Sequence, residues 1–170
     1  DARMLSSALL PRTRAYHQIF LNEAETGTGE AEDLYGSAYL PRKFKIGIAH
    51  PADNTIDVLA NDLGFIAIAD GDRLRGYNVA VGGGMGMTHG KPQTFPRFAS
   101  VIGSIGPDSL LEAARAVVAL QRDNGNRSDR KRARLKYLVH DRGEAWVRET
   151  LAVGYGLALA PPLAHPPFAV

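Results

Sequence analysis

Apolar and polar positions along the chain mark out a short series of strands and helices. Met4-Leu5 and Ala8-Leu9-Leu10 are apolar, and Pro11 ends any helix there. Arg14 to Leu21 reads as a strand with Ala15, His17, Ile19 and Leu21 on one face. Asn22 to Gly36 is acidic and glycine-containing, as expected of an exposed loop. Phe44 to Ala49 reads as a second strand. Alternation would turn Lys43 and Lys45 to one side, and Phe44 and Ile46 to the other. Pro51-Ala52-Asp53-Asn54 is a turn, and Ile56, Val58, Leu59 and Leu63 suggest a short helix capped by Asn54 or Thr55.

Phe65 to Ala69 is a continuous apolar run, which predicts a buried strand. Asp70-Gly71-Asp72 is a hairpin turn, and Arg75 to Val81 is its return strand. Pro107 to Arg122 has the strongest helical pattern. Its apolar stripe is Leu110, Leu111, Ala114, Val117 and Val118, with Pro107 in the first turn. Glu144 to Leu151 is a last amphipathic helix around Trp146 and Val147. The proline-rich end, with Pro161, Pro162, Pro166 and Pro167, reads as an exit into a linker or a further domain. No internal repeat is visible. The order of elements predicts an α+β fold with a mixed, mainly antiparallel sheet flanked by helices.

Composition narrows the function classes. With 45% hydrophobic and 22% charged residues the chain is typical of a globular protein, and 170 residues suit one domain or a large piece of one. A formal net charge of +2 gives no global argument for nucleic acid. No apolar run approaches the roughly 20 residues of a membrane span. Cysteine is absent, so this chain by itself offers no disulfide and no thiolate for a metal, haem or iron–sulfur cluster. It opens on Asp1 with no signal-peptide pattern, as expected if the first residues were removed or the chain is a fragment.

Local chemistry is concentrated in three stretches. In Pro41-Arg42-Lys43-Phe44-Lys45, three cations crowd the entrance of a strand. Two lysines on one face repel each other, which points to an anion between them. A lysine-guarded sheet edge explains the same pattern. In Gly82-Gly83-Gly84-Met85-Gly86, the glycines permit close approach of a ligand to backbone. The spacing matches neither a dinucleotide fingerprint nor a phosphate loop, and a flexible loop is the plain alternative. Arg127 to Lys136 holds six cations and one acid. If Ser128 or Asp129 caps a helix there, Arg127, Arg130, Lys131 and Arg134 share one side of it. A polyanionic ligand and a solvated helix face both fit that pattern.

Read together, several stretches resemble the nitrite and sulfite reductase family, and within it the sirohaem-binding middle of assimilatory sulfite reductase haemoproteins. They are Pro11-Arg12-Thr13-Arg14-Ala15-Tyr16, Tyr39 to Lys45, Ala60-Asn61-Asp62, Val81 to Gly86 with His89-Gly90, Gln121-Arg122-Asp123, Gly125 to Lys131, and Lys136-Tyr137. The resemblance runs from about Leu10 to about Pro162. Nitrite reductases share the pattern more loosely.

The resemblance implies a six-electron reduction of sulfite to sulfide at a sirohaem coupled to a 4Fe–4S cluster. It implies that Lys43 and Lys45 bind the oxyanion and help supply protons. It places Arg42 near the macrocycle's carboxylates and Gly83 and Gly84 in the loop beside the ring. Arg127 and Arg134 would face the carboxylates, with Arg134 standing where the family carries lysine.

Departures from the family pattern matter as well. The family's cluster cysteines lie downstream of the matched region and two active-site arginines lie upstream. The expectation is therefore a single truncated sirohaem-binding domain over residues 1–170. About residues 1–10 and 163–170 would be connections, and no metal ligand would come from this chain. Implied partners are sulfite, the rest of the haemoprotein, and a flavoprotein subunit or ferredoxin as electron donor, in the cytoplasm and with no membrane. Competing readings are a ferredoxin-type nitrite reductase segment, an inactive folded remnant, and a nucleic-acid module built on Arg127 to Lys136. The last predicts aromatics interleaved with the cations, and only Tyr137 is near.

Overall fold

A computed structural model describes residues 1–11, 20–21, 24–25 and 33–168. Its centre is a four-stranded sheet in the order β3-β4-β5-β6: Ile46–Ala49, Leu63–Asp70, Arg73–Val81 and Ser100–Ile105. β3 runs parallel to β4, and the other neighbours are antiparallel, so the mixed, mainly antiparallel sheet is as expected. A separate two-stranded ladder pairs β1 (Phe20–Leu21) with β2 (Ala24–Glu25). The rest of the strand expected from Arg14, with Ala15, His17 and Ile19, lies outside the described residues, as does most of the acidic loop.

β4 and β5 are the inner strands, and β4 is apolar along nearly all its length. Leu63, Phe65 and Ile66 are fully buried. Gly71, with φ of 58°, makes the two-residue turn into β5. The apolar stripe expected on the long helix is its buried face. α2 (Leu110–Asn124) packs Leu110, Ala114, Val117 and Leu120 against Phe65, Val79 and Val81 of the sheet. Pro107 opens a single 3-10 turn ahead of it. α3 (Leu135–Arg142) and α4 (Glu144–Tyr155) cover the same face through Val139, Val147 and Leu151.

The structure differs from the sequence reading in several places, and β6 and α3 have no counterpart in that reading. The short helix expected after Asn54 is one 3-10 turn, Val58–Ala60, and Leu63 belongs to β4 instead. Asn54 still acts as the local cap, its Oδ1 accepting the Val58 N–H at 2.8 Å. The basic helix over 127–136 does not form. A 3-10 turn, Arg130–Arg132, precedes α3, and only the capping bond from Asp129 to the Lys131 N–H survives. Three residues per turn and a break at Ala133 cannot hold four cations at helical spacing.

The proline-rich end also differs: it folds back on the sheet. Ala160 bridges Ser104, and Leu163 exchanges hydrogen bonds with the Asn78 side chain at 2.7 and 2.8 Å. At the other terminus α1 (Ala2–Ala8) buries Leu5 in the main core.

Tyr155 fastens the end of α4 to the end of α2. Its hydroxyl donates to Asp123 at 2.9 Å and accepts from the Asn124 amide at 3.3 Å. Burial, then the bond and charge of Asp123, push this phenol from 10.0 up to about 12. The folded phenol keeps its proton where the unfolded one ionises. The associated stability is complete below pH 10.0 and is lost as pH rises towards about 12. Thermal midpoints across that window should fall more steeply for the parent than for Tyr155→Phe, and parallel curves would refute this.

Candidate functional site

The loops that carry the singled-out residues meet at one end of the sheet. β3 and β4 enter there, β5 leaves, and α3 begins there. The segment from Leu59 to Asp62 is their common spine. The Asp62 carbonyl accepts the Gly82 N–H at 2.8 Å, the Asn61 carbonyl accepts Gly83 at 3.0 Å, and the Leu59 carbonyl accepts Ala99 at 2.7 Å. The glycine loop is therefore pinned. Gly84 also exchanges two backbone hydrogen bonds with Arg97. Gly82, Gly83 and Gly84 are buried, so the plain reading of a flexible loop does not hold for them.

The need for glycine here comes from the protein's own packing. A Cβ on Gly83 would run into the carbonyl oxygens of Leu59 and Asn61, and one on Gly84 would meet the Arg134 guanidinium. Gly83→Ala should cost about 1–3 kcal/mol, because backbone cannot move aside as a side chain can. Gly86, a few residues on, has nothing within 4 Å of its Cβ position. Gly86→Ala should stay within about 0.5 kcal/mol. Chemical denaturation of both variants checks the pair, and equal midpoints would contradict the packing account.

Asp62 is fully buried and is the electrostatic hub. Its Oδ2 accepts the Lys45 backbone N–H at 3.0 Å. Arg134 binds both its oxygens, Nε to Oδ1 at 3.1 Å and Nη2 to Oδ2 at 2.8 Å. Lys136, about 1% exposed, donates to the carbonyls of Gly84, Gly86 and Phe95 at 3.0, 2.6 and 2.5 Å. Burial, then the neighbouring Arg134 charge, lowers the Lys136 ammonium below the usual lysine value, and Asp62 opposes that shift. Sequence reasoning gave neither Asp62 nor Lys136 a role. Both stood in stretches that carried the family resemblance, which was the available signal.

Lys43 and Lys45 are both exposed, whereas Phe44 and Ile46 pack on the core, so the expected alternation is present although β3 itself starts at Ile46. Arg42 and Lys43 stand between two cavities. One, of about 400 Å³, lies against α1 and is lined by Leu5, Leu9, Phe44 and Ile48 together with polar groups. The other, of about 450 Å³, is walled by Arg42, Lys43, Arg130, Lys131, Arg134 and Lys136, with Gly86, Met87, Thr88 and Tyr137. No carboxylate lines the second cavity among the described residues. Lys45 lies outside both walls.

Arg127 is not in either wall. Its guanidinium donates to the carbonyls of Ala38, Tyr39 and Arg122 at 3.0, 2.6 and 2.9 Å. Tyr39 has a left-handed φ of 49°, an unfavourable conformation for a non-glycine residue that these bonds help to hold. Arg122 similarly grips the Leu34 carbonyl at 2.5 Å, and Gln121 grips Ala133 at 2.7 Å. Gln121 and Arg122 thus tie the end of α2 to the basic stretch and to Leu34.

Residues 1–156 match the model of the family described as nitrite and sulphite reductase 4Fe-4S domain. The chain belongs to this family. It is 51% identical over 166 residues to the sulfite reductase (NADPH) hemoprotein beta-component of Chromohalobacter salexigens, covering 94% of this chain and 29% of that one. Identity to the protein of the same name from Xanthomonas oryzae pv. oryzae is 55% over 163 residues, covering 95% and 29%. For Bacillus pumilus it is 54% over 161 residues, covering 93% and 28%. The chain thus spans under a third of the length of these relatives. Among solved structures, the NirA protein of Mycobacterium tuberculosis superposes with a TM-score of 0.60 at 32% identity, covering 75% of this chain and 23% of that one.

Proposed function

We propose that this chain is the oxyanion-facing part of a sulfite reductase haemoprotein. The observation that carries the reading is the second cavity, where Arg42, Lys43, Arg130 and Lys131 converge with no carboxylate among the described residues. Family membership supplies the kind of anion. A sirohaem rim rich in carboxylates, and sulfite, both suit a cationic wall of this sort. The iron–sulfur cluster does not suit this chain, which has no cysteine to hold it. Cluster and axial ligation belong to other parts of the haemoprotein.

Sirohaem coupled to a 4Fe–4S cluster would pass to sulfite the six electrons, taken from an external donor, that convert it to sulfide. The side chains of this chain bind and protonate. Lys43, which lines the cavity, would hold a substrate oxygen by charge and deliver protons as that oxygen leaves as water. Lys45, fixed through its N–H by Asp62, adds a second ammonium on the same side of the segment. Arg42 holds a carboxylate at the opening. Arg134 lines the cavity while paired to Asp62, Gly83 and Gly84 lie in the pinned loop behind it, and Arg127 holds the Tyr39 carbonyl ahead of Arg42. An electron donor linked to NADPH fits the names of the relatives.

The reading is tested by producing the haemoprotein that contains this segment and measuring visible absorption after sirohaem is supplied, then sulfide formed with a chemical reductant. Sirohaem uptake with sulfite turned over in preference to nitrite supports it. Preference for nitrite would move the chain to the nitrite-reducing branch, and no uptake would overturn the reading.

A further inference from the structure

Arg97 lines neither cavity, yet its guanidinium is committed on every side to the base of the glycine loop. Nη1 donates to the carbonyls of Val81, Gly82 and Phe98 at 3.3, 2.9 and 3.0 Å, and Nη2 donates to Ser100 Oγ at 2.8 Å. The carboxylate of Glu144, the first residue of α4, stands 3.9 Å from Nη2. The Arg97 side chain is 17% exposed, so little water competes for these donors.

Those contacts hold the root of a closed excursion of the chain. Gly84 and Arg97 exchange backbone hydrogen bonds, which bring together the two ends of the stretch 85–96. Inside it the buried Thr94 hydroxyl accepts the Thr88 N–H and donates to the Lys91 carbonyl, both at 2.8 Å. Gly86, Met87 and Thr88, on the near arm, line the second cavity. At the root, Gly82 has a left-handed φ of 80°, and the carbonyls of Val81 and Gly82 meet at one guanidinium nitrogen. Two carbonyl dipoles turned to one point repel each other, and a cation placed there makes the arrangement favourable. A Cβ on Gly82 would come within 2.9 Å of Arg97 Nη1 and 2.8 Å of Val139, so the root is wedged between Arg97 and α3.

We propose that Arg97 is a positioning residue for sulfite reduction: by fixing the carbonyls of Val81 and Gly82 it sets where Gly86, Met87 and Thr88 stand in the cavity wall. This rests on the function proposed above and deepens it with a residue that acts from outside the cavity, through backbone. Ser100 and Glu144 hold the far side of the guanidinium and so aim it. The leverage is geometric, since a displacement of about 1 Å at a reacting centre costs up to about 100-fold in rate even when its cause is remote.

The test uses the whole haemoprotein and has two readouts. One is amide hydrogen exchange of the peptide spanning 82–88, measured without sirohaem. The other is sulfide formed per bound sirohaem. Arg97→Met should speed exchange in that peptide at least about tenfold and lower turnover per sirohaem at least about tenfold. Arg97→Lys keeps a cation for the two carbonyls and should restore turnover to within about threefold of the parent. Val147→Ala destabilises the core from α4, and should keep both readouts within about threefold of the parent. Ser100→Ala/Glu144→Gln leaves Arg97 in place but unaimed. Its turnover per sirohaem should fall at least about threefold, with a thermal midpoint within about 3 °C of the parent.

Parental turnover per sirohaem in Arg97→Met would overturn this inference alone and leave Arg97 a structural residue. An equal loss in Val147→Ala would do the same, because it would trace the effect to stability. If Arg97→Met does not fold, Ser100→Ala/Glu144→Gln decides, and parental turnover there overturns the inference. A parent that reduces no sulfite would overturn the underlying reading and this inference with it.

Discussion

Lys43→Met in the whole haemoprotein should lower sulfide production at least about tenfold, roughly 1.4 kcal/mol of barrier, with sirohaem content nearly unchanged. Lys45→Met should act in the same direction. Sulfite oxygens leave as water, so each departure needs protons and a cation beside the developing hydroxide. Lysine serves both needs, being a compact charge with rotatable donors whose proton is released when its surroundings change. Lys43 lines the cationic cavity and has no side-chain partner among the described residues, so its ammonium is open to an anion there. Methionine keeps the length of the stem and removes only charge and proton.

Lys43→Arg separates the two duties. Arginine holds the anion but does not give up its proton, so KM should stay near the parent value while kcat falls. If the lysines only guard a sheet edge, both methionine variants would keep parental turnover and change stability by less than about 0.5 kcal/mol. Sulfide formed per sirohaem, by absorbance, decides between these outcomes.

Asp62→Ala should cost about 3–5 kcal/mol of stability, the usual loss when one partner of a buried ion pair is removed. Asp62 is fully buried, and the Arg134 side chain is 13% exposed, so the stranded guanidinium would have little water to turn to. Lys45 would also lose the acceptor of its backbone N–H. The thermal midpoint should drop by roughly 10 °C for a domain of this size.

A double-mutant cycle isolates the pair. In an Arg134→Met background no buried charge is left behind, so Asp62→Ala should cost at least about 1 kcal/mol less than in the parent. Additive effects in the cycle would show that the two side chains are not coupled. A single-variant loss below about 0.5 kcal/mol would remove Asp62 from the centre of the site.

Much of the frame was legible because it is local. The apolar run at Phe65, the turn at Gly71 and the stripe on α2 each follow from spacing and turn chemistry within a few residues. The basic stretch misled for the same reason. Its spacing fits a helix, but its neighbours pull the cations in different directions, Arg127 to Tyr39, Arg132 to Asp141 and Arg134 to Asp62. Those partners are distant in sequence, and propensity yields to them.

The sequence by itself determined the α+β class, the β4–β5 hairpin, the helices α2 and α4, the absence of cysteine, and the family, but neither the strand β6 nor the helix α3. Each depends on residue types or short spacings that a chain carries before it folds. Only the tertiary structure decided which cations are open to a ligand. Every lysine and arginine in the three basic and glycine-rich stretches looks equally available when written in a line. The buried Asp62 changes that, because an unpaired charge in a dry interior is costly and claims the nearest donor, and Lys136 is likewise taken by three loop carbonyls. What remains after those demands are met is the uncommitted set at the cavity, Arg42, Lys43, Arg130 and Lys131.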